Sequence, residues 1–165
     1  MSSPGVARLA VYAGSFDPPT LGHLDLIERA SALFSDVIVG IGLHATRTPL
    51  FSIEERVDLV SRVSAHLPNI TVEAFDGLLI DYCKQKKARV IVRGLRAATD
   101  FEYELQIAHA NADLGPEVDT VFLPTRTMNG FISASLVREI ASHGGDASRY
   151  APGLVCQALV KKFAR

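Results

Sequence analysis

A turn that ends in a histidine is the first group of residues suited to chemistry. Residues 14–23 read GSFDPPTLGH and follow a short apolar run. Thr20 has the side chain of a helix N-cap, which would place His23 in the first helical turn, beside free backbone N–H groups and the positive end of the helix dipole. Such a position suits phosphate; a histidine there could donate to a phosphoryl oxygen and, when protonated, offset charge that grows in a transition state. Taken alone, these residues are also typical of an ordinary capped turn with an exposed histidine.

Two further groups share this phosphate-binding character. Arg93 and Arg96 flank Gly94 after a predicted strand, and guanidinium groups form paired, charge-assisted bonds to phosphate. Residues 132–138 open a predicted helix with hydroxyl groups and free backbone amides. Ligands of open α/β sheets bind beyond the carboxyl ends of the strands. Because all three groups follow predicted strands, we interpret them as parts of one phosphate-binding site.

Short apolar runs alternate with segments of helical period along the chain. The runs show little period-two alternation and several are β-branched, which is typical of strands that helices cover on both faces. This order predicts right-handed βαβ units and a doubly wound, Rossmann-like α/β fold: a five-stranded parallel sheet with helices on both faces, in a single domain over 1–165. The predicted strands are 9–13, 37–43, 70–75, 90–92 and 119–123, and the predicted helices are 21–34, 52–67, 78–87, 100–114, 133–143 and 154–163.

Capping signals and apolar stripes support several of these helices. Residues 52–55 have the spacing of a capping box. The apolar side chains expected to share one face are Leu24, Ile27 and Leu33 in the first helix, and Phe101, Leu105, Ala108 and Ala112 in the fourth.

Composition excludes several classes of protein. The chain has 165 residues, 48% of them hydrophobic, and 17 Lys+Arg against 18 Asp+Glu. This hydrophobicity excludes intrinsic disorder, and the balanced charge gives no electrostatic case for a nucleic-acid binder. The apolar run 37–43 is far shorter than the roughly 18 residues that span a membrane. Two cysteines, Cys83 and Cys156, cannot form a disulfide framework, so we expect a cytoplasmic protein. From the charge balance and the short apolar runs, we expect it to bind neither nucleic acid nor membrane.

The three groups of residues also resemble the motifs of a known enzyme superfamily. Residues 14–18 followed by Thr20-x-Gly22-His23 resemble the T/H-x-G-H motif of the nucleotidyltransferase α/β phosphodiesterase superfamily, and 132–138 resembles its second motif. The run RGLRAATDFEYE at 93–104 narrows the resemblance to the bacterial phosphopantetheine adenylyltransferases. The similarity covers almost the whole chain.

The resemblance implies an activity, a cofactor and an assembly. Enzymes of this family transfer the adenylyl group of ATP to 4′-phosphopantetheine, which gives dephospho-coenzyme A and pyrophosphate in the penultimate step of coenzyme A synthesis. The acceptor phosphate attacks the α-phosphorus in line, without a covalent enzyme intermediate. The resemblance further implies Mg²⁺ on the triphosphate, a homohexamer, and feedback inhibition by coenzyme A.

Site roles are implied for matching positions of this chain. His23 is the implied catalytic residue. ATP contacts are implied for Ser15, Phe16, His23, Gly94, Leu95, Arg96, Glu104, Asn129, Gly130, Phe131, Ile132, Ser133, Ala134 and Ser135. Contacts with 4′-phosphopantetheine are implied for Ser15, Arg47, Leu79 and Arg93, and no protein ligand to a metal is implied.

The chain departs from the family pattern at a few of these positions. Arg47 stands where lysine is usual, Ala134 interrupts a common run of three serines, and Asn129-Gly130 occupies a place that often holds an aromatic residue and a serine. Two other functions stay open. One is a related nucleotidyltransferase, such as one that acts on nicotinate mononucleotide, and the other is a nucleotide sensor on the same fold that lacks catalysis.

Overall fold

The described residues form five parallel strands and six helices, which alternate as far as β5 and end with two consecutive helices. The computed structural model describes residues 8–43 and 48–164. The strands are β1 (Leu9–Gly14), β2 (Asp36–Gly42), β3 (Ile70–Phe75), β4 (Val90–Leu95) and β5 (Asp119–Pro124). The helices are α1 (Leu21–Leu33), α2 (Ile53–Val63), α3 (Leu79–Lys86), α4 (Ala98–Leu114), α5 (Ala134–Ser142) and α6 (Gly153–Phe163), with a 3₁₀ turn at Thr127–Asn129. The predicted five-stranded α/β fold is confirmed.

Strand β1 lies at the centre of the sheet, and helices cover both of its faces. Ala10 and Tyr12 pack against the layer of α1 and α2, whereas Val11 and Ala13 pack against α3. All four are buried. Both faces are covered, so no face needs polar side chains and the sequence lacks alternation.

The sheet order β3-β2-β1-β4-β5 fixes the place of the site. The chain first adds strands on one side of β1 and then crosses to the other side at β4. Ligands of open α/β sheets bind at such a switch point, outside the carboxyl ends of the strands. The ends of β1 and β4 are therefore where a site is expected.

Strand β4 is longer than predicted, and its extra residues are functional candidates. Arg93, Gly94 and Leu95 belong to the strand, paired with residues 122–124 of β5. Pairing of β4 with β1 ends earlier, at Val92. The two strands thus separate next to Arg93, which opens a crevice in the sheet.

Two predicted apolar stripes are wrong. Helix α1 buries Leu26, Ile27 and Ala30, while Leu33 is 63% exposed. At 100° per residue, position 33 lies about 240° around the helix from Ile27, so both cannot face the core. Leu24 is only partly buried.

No residue of helix α4 is fully buried. In the predicted stripe, Leu105 and Ala108 are partly buried, whereas Phe101 and Ala112 are exposed. Phe101 and Tyr103 are 42% and 65% exposed. Phe101 makes an edge contact with Phe122 of β5, with ring centroids 5.7 Å apart. The helix lies against β4 and β5 but leaves apolar surface uncovered.

Helices α5 and α6 form a separate apolar cluster with residues from the start of α2. Phe51, Val137 and Leu159 are buried in this cluster. Leu21, the first residue of α1, packs against this cluster and donates its N–H to the carbonyl of Tyr150, which lies between α5 and α6. Within residues 8–43 and 48–164, no helix is long and apolar enough to cross a bilayer.

Candidate active site

A cavity of about 380 Å³ opens at the predicted edge of the sheet. It lies where the ends of β1 and β4 meet the starts of α1 and α5, so all three predicted phosphate-binding groups contribute to it. Its lining residues are Tyr12, Ala13, Gly14, Ser15, Thr20, Gly22, His23, Leu26, Arg93, Gly94, Arg96, Thr125, Asn129, Ile132, Ser133 and Ala134.

The turn after β1 is shaped by a buried aromatic residue. Phe16 has a positive φ of 47°, and its side chain is fully buried. The ring packs edge-on against Tyr12 and lies 4.9 Å from the His23 ring, centroid to centroid. A Cβ on Gly14 would lie 3.1 Å from this ring, so glycine allows the close approach. A left-handed non-glycine residue is held there by its surroundings, and here those surroundings fix the position of His23.

A capping box between Thr20 and His23 sets the orientation of the imidazole. The Thr20 hydroxyl accepts a hydrogen bond from the His23 N–H at 3.2 Å, and the Thr20 N–H donates to Nδ1 of His23 at 3.0 Å. The predicted N-cap is confirmed. Because a backbone N–H can only donate, Nδ1 must be unprotonated, and the neutral ring carries its proton on Nε2.

The surroundings of His23 also keep the ring neutral. Burial, and then the positive charge of Arg96, lower the pKa of His23 to about 4. These surroundings favour a neutral His23 over the protonated ring considered from the sequence. The geometry instead provides a neutral Nε2–H donor at the start of α1.

Arg93 is held by two elements at once. Its Nε and Nη2 donate to the two carboxylate oxygens of Glu104 at 2.6 and 2.7 Å, and Nη1 donates to the Ala13 carbonyl at 3.2 Å. Both side chains of the ion pair are mostly buried. Such a two-point pair fixes the guanidinium plane. Arg93 lines the cavity and Glu104 does not, so Glu104 contacts the site through the arginine.

Arg96 and the start of α5 complete the wall. Arg96 bonds to the Asp100 carboxylate at 3.2 Å and is 43% exposed. Ser133 caps α5 by accepting from the Leu136 N–H at 3.1 Å. The Ser133 oxygen accepts this bond, and its O–H can still donate. The backbone N–H groups of Ala134 and Ser135 are further donors at this helix start.

A further glycine keeps the cavity open at β4. A Cβ on Gly94 would lie 2.4 Å from Cδ1 of Leu26, which is nearer than any real Cβ contact. The absence of a side chain lets β4 approach α1 and exposes its backbone to the cavity. This accounts for the glycine between two arginines.

The structure separates the predicted site residues into two sets. Those that line the cavity are Ser15, His23, Arg93, Gly94, Arg96, Asn129, Ile132, Ser133 and Ala134. Those outside its lining are Phe16, Leu79, Leu95, Glu104, Gly130, Phe131 and Ser135. Phe131 is 63% exposed and packs against Tyr150, and the buried Phe16 could meet a ligand only through its backbone. Arg47 lies outside the described residues.

Sequence reasoning missed several lining residues, among them Tyr12, Leu26 and Thr125. The geometry of a strand could have identified Tyr12, because residues two apart lie on the same face and Tyr12 is two residues before Gly14. No signal pointed to Leu26 or Thr125, because their place depends on how α1 and the segment after β5 pack.

The lining residues suit phosphate better than a metal ion. They offer guanidinium groups, an imidazole N–H, hydroxyls and backbone amides, whereas Mg²⁺ prefers oxygen ligands such as carboxylates. Within the described part of the chain, no three His, Cys, Asp or Glu side chains are grouped to hold a metal. The residues present therefore do not form a protein site for Mg²⁺.

Residues 11–140 match the cytidylyltransferase-like family. The chain belongs to this family. The match covers β1 to α5, which are the elements that build the cavity. This places the chain among nucleotidyltransferases, and the superfamily expected from the sequence is confirmed. The narrower resemblance to phosphopantetheine adenylyltransferases is not decided by this match.

Solved structures share the fold at low sequence identity. The nicotinic acid mononucleotide adenylyltransferase of Plasmodium falciparum, complexed with NaAD, aligns with a TM-score of 0.70 and 14% identity over 93% of this chain and 95% of that one. A candidate nicotinate-nucleotide adenylyltransferase from Vibrio parahaemolyticus aligns with a TM-score of 0.65 and 19% identity over 96% of each chain. The bifunctional NMN adenylyltransferase/ADP ribose pyrophosphatase of Francisella tularensis aligns with a TM-score of 0.71 and 19% identity, over 94% of this chain and 49% of that chain. At these identities the likeness concerns the fold.

Proposed function

We propose that this nucleotidyltransferase transfers the adenylyl group of ATP to 4′-phosphopantetheine, which gives dephospho-coenzyme A and pyrophosphate. The proposal rests chiefly on the run 93–104, which resembles that of phosphopantetheine adenylyltransferases. Its first residue, Arg93, lines the cavity and is bonded at two points to its last residue, Glu104. The run that carries the resemblance thus supplies a fixed guanidinium, which would bind the acceptor phosphate.

In this mechanism an oxygen of the acceptor phosphate attacks the α-phosphorus of ATP. A new P–O bond forms as the bond to the β-phosphate bridging oxygen breaks, and pyrophosphate leaves. The chain's residues position the two phosphates and stabilise charge on the α-phosphoryl oxygens, as expected for phosphoryl-type transfer. Nε2–H of His23 would donate to one of these oxygens.

The other residues divide between the two substrates. Ser15, Arg47 and Arg93 would hold the acceptor phosphate, and Leu79 would contact the pantetheine arm. Glu104 would act through Arg93. The other residues of the implied ATP set would surround the nucleotide, with the backbone N–H groups at the start of α5 directed to the triphosphate. Mg²⁺ would be bound by the triphosphate and water, since the described residues do not form a site for it.

Assembly and regulation are part of the same proposal. A homohexamer would cover apolar surface of the kind that α4 exposes at Phe101 and Tyr103. Coenzyme A resembles the product and would act as a feedback inhibitor in the same cavity.

The test is direct: the purified chain is mixed with ATP, Mg²⁺ and 4′-phosphopantetheine, and dephospho-coenzyme A is measured by mass together with pyrophosphate. Formation of both products supports the proposal. Nicotinate mononucleotide is assayed in parallel, because the solved neighbours include proteins named for that substrate. Turnover of nicotinate mononucleotide alone would replace the proposed acceptor, and ATP binding without turnover of either would favour a sensor.

A further inference from the structure

The turn after β1 contains a residue whose conformation needs support from outside the turn. Phe16 has a φ of 47°, and its buried ring lies 4.9 Å from the ring of His23, centroid to centroid. A bulky residue rarely adopts this left-handed conformation, because its Cβ crowds the backbone. Bonds to the neighbouring peptide groups therefore have to hold the turn, and with it the surroundings of the imidazole.

Arg56 of α2 supplies one of these bonds. It is only 5% exposed; its Nη1 donates to the carbonyl of Ser15 at 2.9 Å, and its Nε donates to the carbonyl of Ser52 at 3.3 Å. Among the described residues, no carboxylate lies within 4.0 Å of this guanidinium. A buried charge is costly unless it is well bonded, and this charge is bonded to backbone carbonyls of two different elements.

The second of these carbonyls belongs to a helix start that is itself capped. Ser52 is the N-cap of α2: its hydroxyl accepts the N–H of Glu55, and its carbonyl accepts the N–H of Arg56 at 3.0 Å. The guanidinium therefore ties the peptide before Phe16 to a fixed point on α2. A lysine ammonium is a point charge on a flexible stem and lacks the planar fork that holds two acceptors at a fixed angle.

Two further bonds dock the same turn on its neighbours. The Asp17 carboxylate accepts the N–H groups of Leu50 and Phe51 at 2.9 Å each, and the Asp17 carbonyl accepts from Nη1 of Arg138 on α5. The residues on both sides of Phe16 thus have carbonyls bonded to guanidinium groups, one from each of two helices. Neither of these bonds reaches the carbonyl of Ser15, which Arg56 holds.

We propose that Arg56 is a positioning residue for the transfer reaction. Its guanidinium holds the Ser15 carbonyl, and so keeps the turn at Phe16 and the imidazole packed against it in the orientation that the transfer uses. The effect of Arg56 on catalysis rests on the proposed function, in which Ser15 and His23 contact the reacting groups. Its effect on the surroundings of the His23 ring does not.

The kinetics of two variants test this role. Arg56→Ala removes the guanidinium, and Arg56→Lys keeps a charge without the fork; the matched controls are Arg62→Ala and Arg62→Lys, at an exposed arginine of the same helix. We expect kcat to fall about tenfold or more in both Arg56 variants, because a misplacement of about 1 Å at a reacting group can cost about a hundredfold. The Kd for ATP should change by less than about threefold, since His23 acts mainly on the transition state. The controls should match the unmodified chain.

Chemical rescue separates positioning from a general loss of stability. Arg56 lines a cavity of about 330 Å³ that Ser15 also lines, so a small cation can enter the space that Arg56→Ala leaves. Guanidinium chloride at low millimolar concentration should raise the kcat of Arg56→Ala, whereas NaCl at equal ionic strength should not. If the two salts act alike on the folded variant, the missing guanidinium is not the cause of the loss and the proposal fails.

The NMR signal of His23 tests the structural step without turnover. Because the Phe16 ring lies beside the imidazole, its ring current contributes to the chemical shift of the proton on Cε1 of His23. This shift should change in Arg56→Lys and stay unchanged in Arg62→Lys. Circular-dichroism melting identifies an unfolded variant, and Arg56→Lys keeps the test valid if Arg56→Ala does not fold.

The outcomes distinguish the positioning role from the proposed function. The kcat values are measured with whichever acceptor the unmodified chain adenylylates, 4′-phosphopantetheine or nicotinate mononucleotide. An unchanged kcat or an unchanged His23 signal in folded Arg56→Lys would overturn the positioning role. A chain that adenylylates neither acceptor, but whose His23 signal responds to Arg56→Lys, would reject the proposed function and keep the structural step.

Discussion

His23 is neutral and only partly exposed, and this predicts a specific pH dependence of stability. Its pKa is about 4 in the folded chain, against 6.5 for a free histidine. As the pH falls from 6.5 towards 4, the unfolded chain gains a proton that the folded chain does not, so the free energy of unfolding falls with pH across this window. One pKa unit corresponds to about 1.4 kcal/mol, which gives about 2 kcal/mol between pH 7.5 and 5. The ring is partly exposed, and solvent screening reduces the expected loss to about 1–2 kcal/mol.

The variant His23→Gln isolates this contribution. Glutamine at the third helical position can still accept the Thr20 N–H, as in an ordinary capping box, but it does not titrate. Urea unfolding at pH 7.5 and pH 5 should show a loss of stability that is about 1–2 kcal/mol smaller in the variant than in the unmodified chain. Equal losses in both proteins would refute the neutral assignment. So would an NMR titration that places the pKa of His23 near 6.5.

Three further predictions concern the chemistry and the packing of the site. His23→Ala should lower kcat for the proposed reaction by about 10²–10³ and leave ATP binding largely intact, because the Nε2–H bond matters most in the transition state; single-turnover rates and ATP titration measure the two effects. Glu104→Gln and Arg93→Lys should both raise the KM for the acceptor, since each disturbs the fixed guanidinium, whereas a rise confined to the KM for ATP would show that Glu104 contacts the nucleotide. Gly94→Ala should cost about 1–3 kcal/mol in thermal unfolding, because its Cβ would overlap Leu26, and an unchanged Tm would contradict that packing.

The controls for these variants come from exposed positions of the same elements. Glu102→Gln changes an exposed carboxylate on α4, two residues before Glu104, and should leave both KM values unchanged. Ala substitution at exposed Glu28 on α1 should leave kcat unchanged. If Glu28→Ala lowered kcat as much as His23→Ala does, the loss in His23→Ala would come from a disturbed α1 and not from the missing imidazole.

Much of the site was predictable because it depends on local patterns. The cap at Thr20 and the capping box at 52–55 are set by neighbours in the chain, and both form as predicted. The convergence of the three phosphate-binding groups follows from parallel strands, whose carboxyl ends meet at one edge.

Other features depend on contacts between distant elements and left no readable signal. Arg93 extends β4 although it is charged, because Glu104 neutralises it from α4. The neutral state of His23 requires burial against Phe16 and the charge of Arg96, which only the folded chain provides. The stripe predicted on α4 is only partly covered, because no residue of this helix is fully buried where it meets the sheet.

The bond from the Thr20 N–H to His23 links the orientation of the imidazole to the first turn of α1. In an ordinary capping box the reciprocal side chain is Glu or Gln, and its only task is to start the helix. In the proposed mechanism, the imidazole that donates to substrate also accepts the bond that starts the helix, so fraying of that turn would misalign the donor as well. Amide hydrogen exchange at Thr20 would then report the fraction of molecules ready to react, even in the absence of substrate.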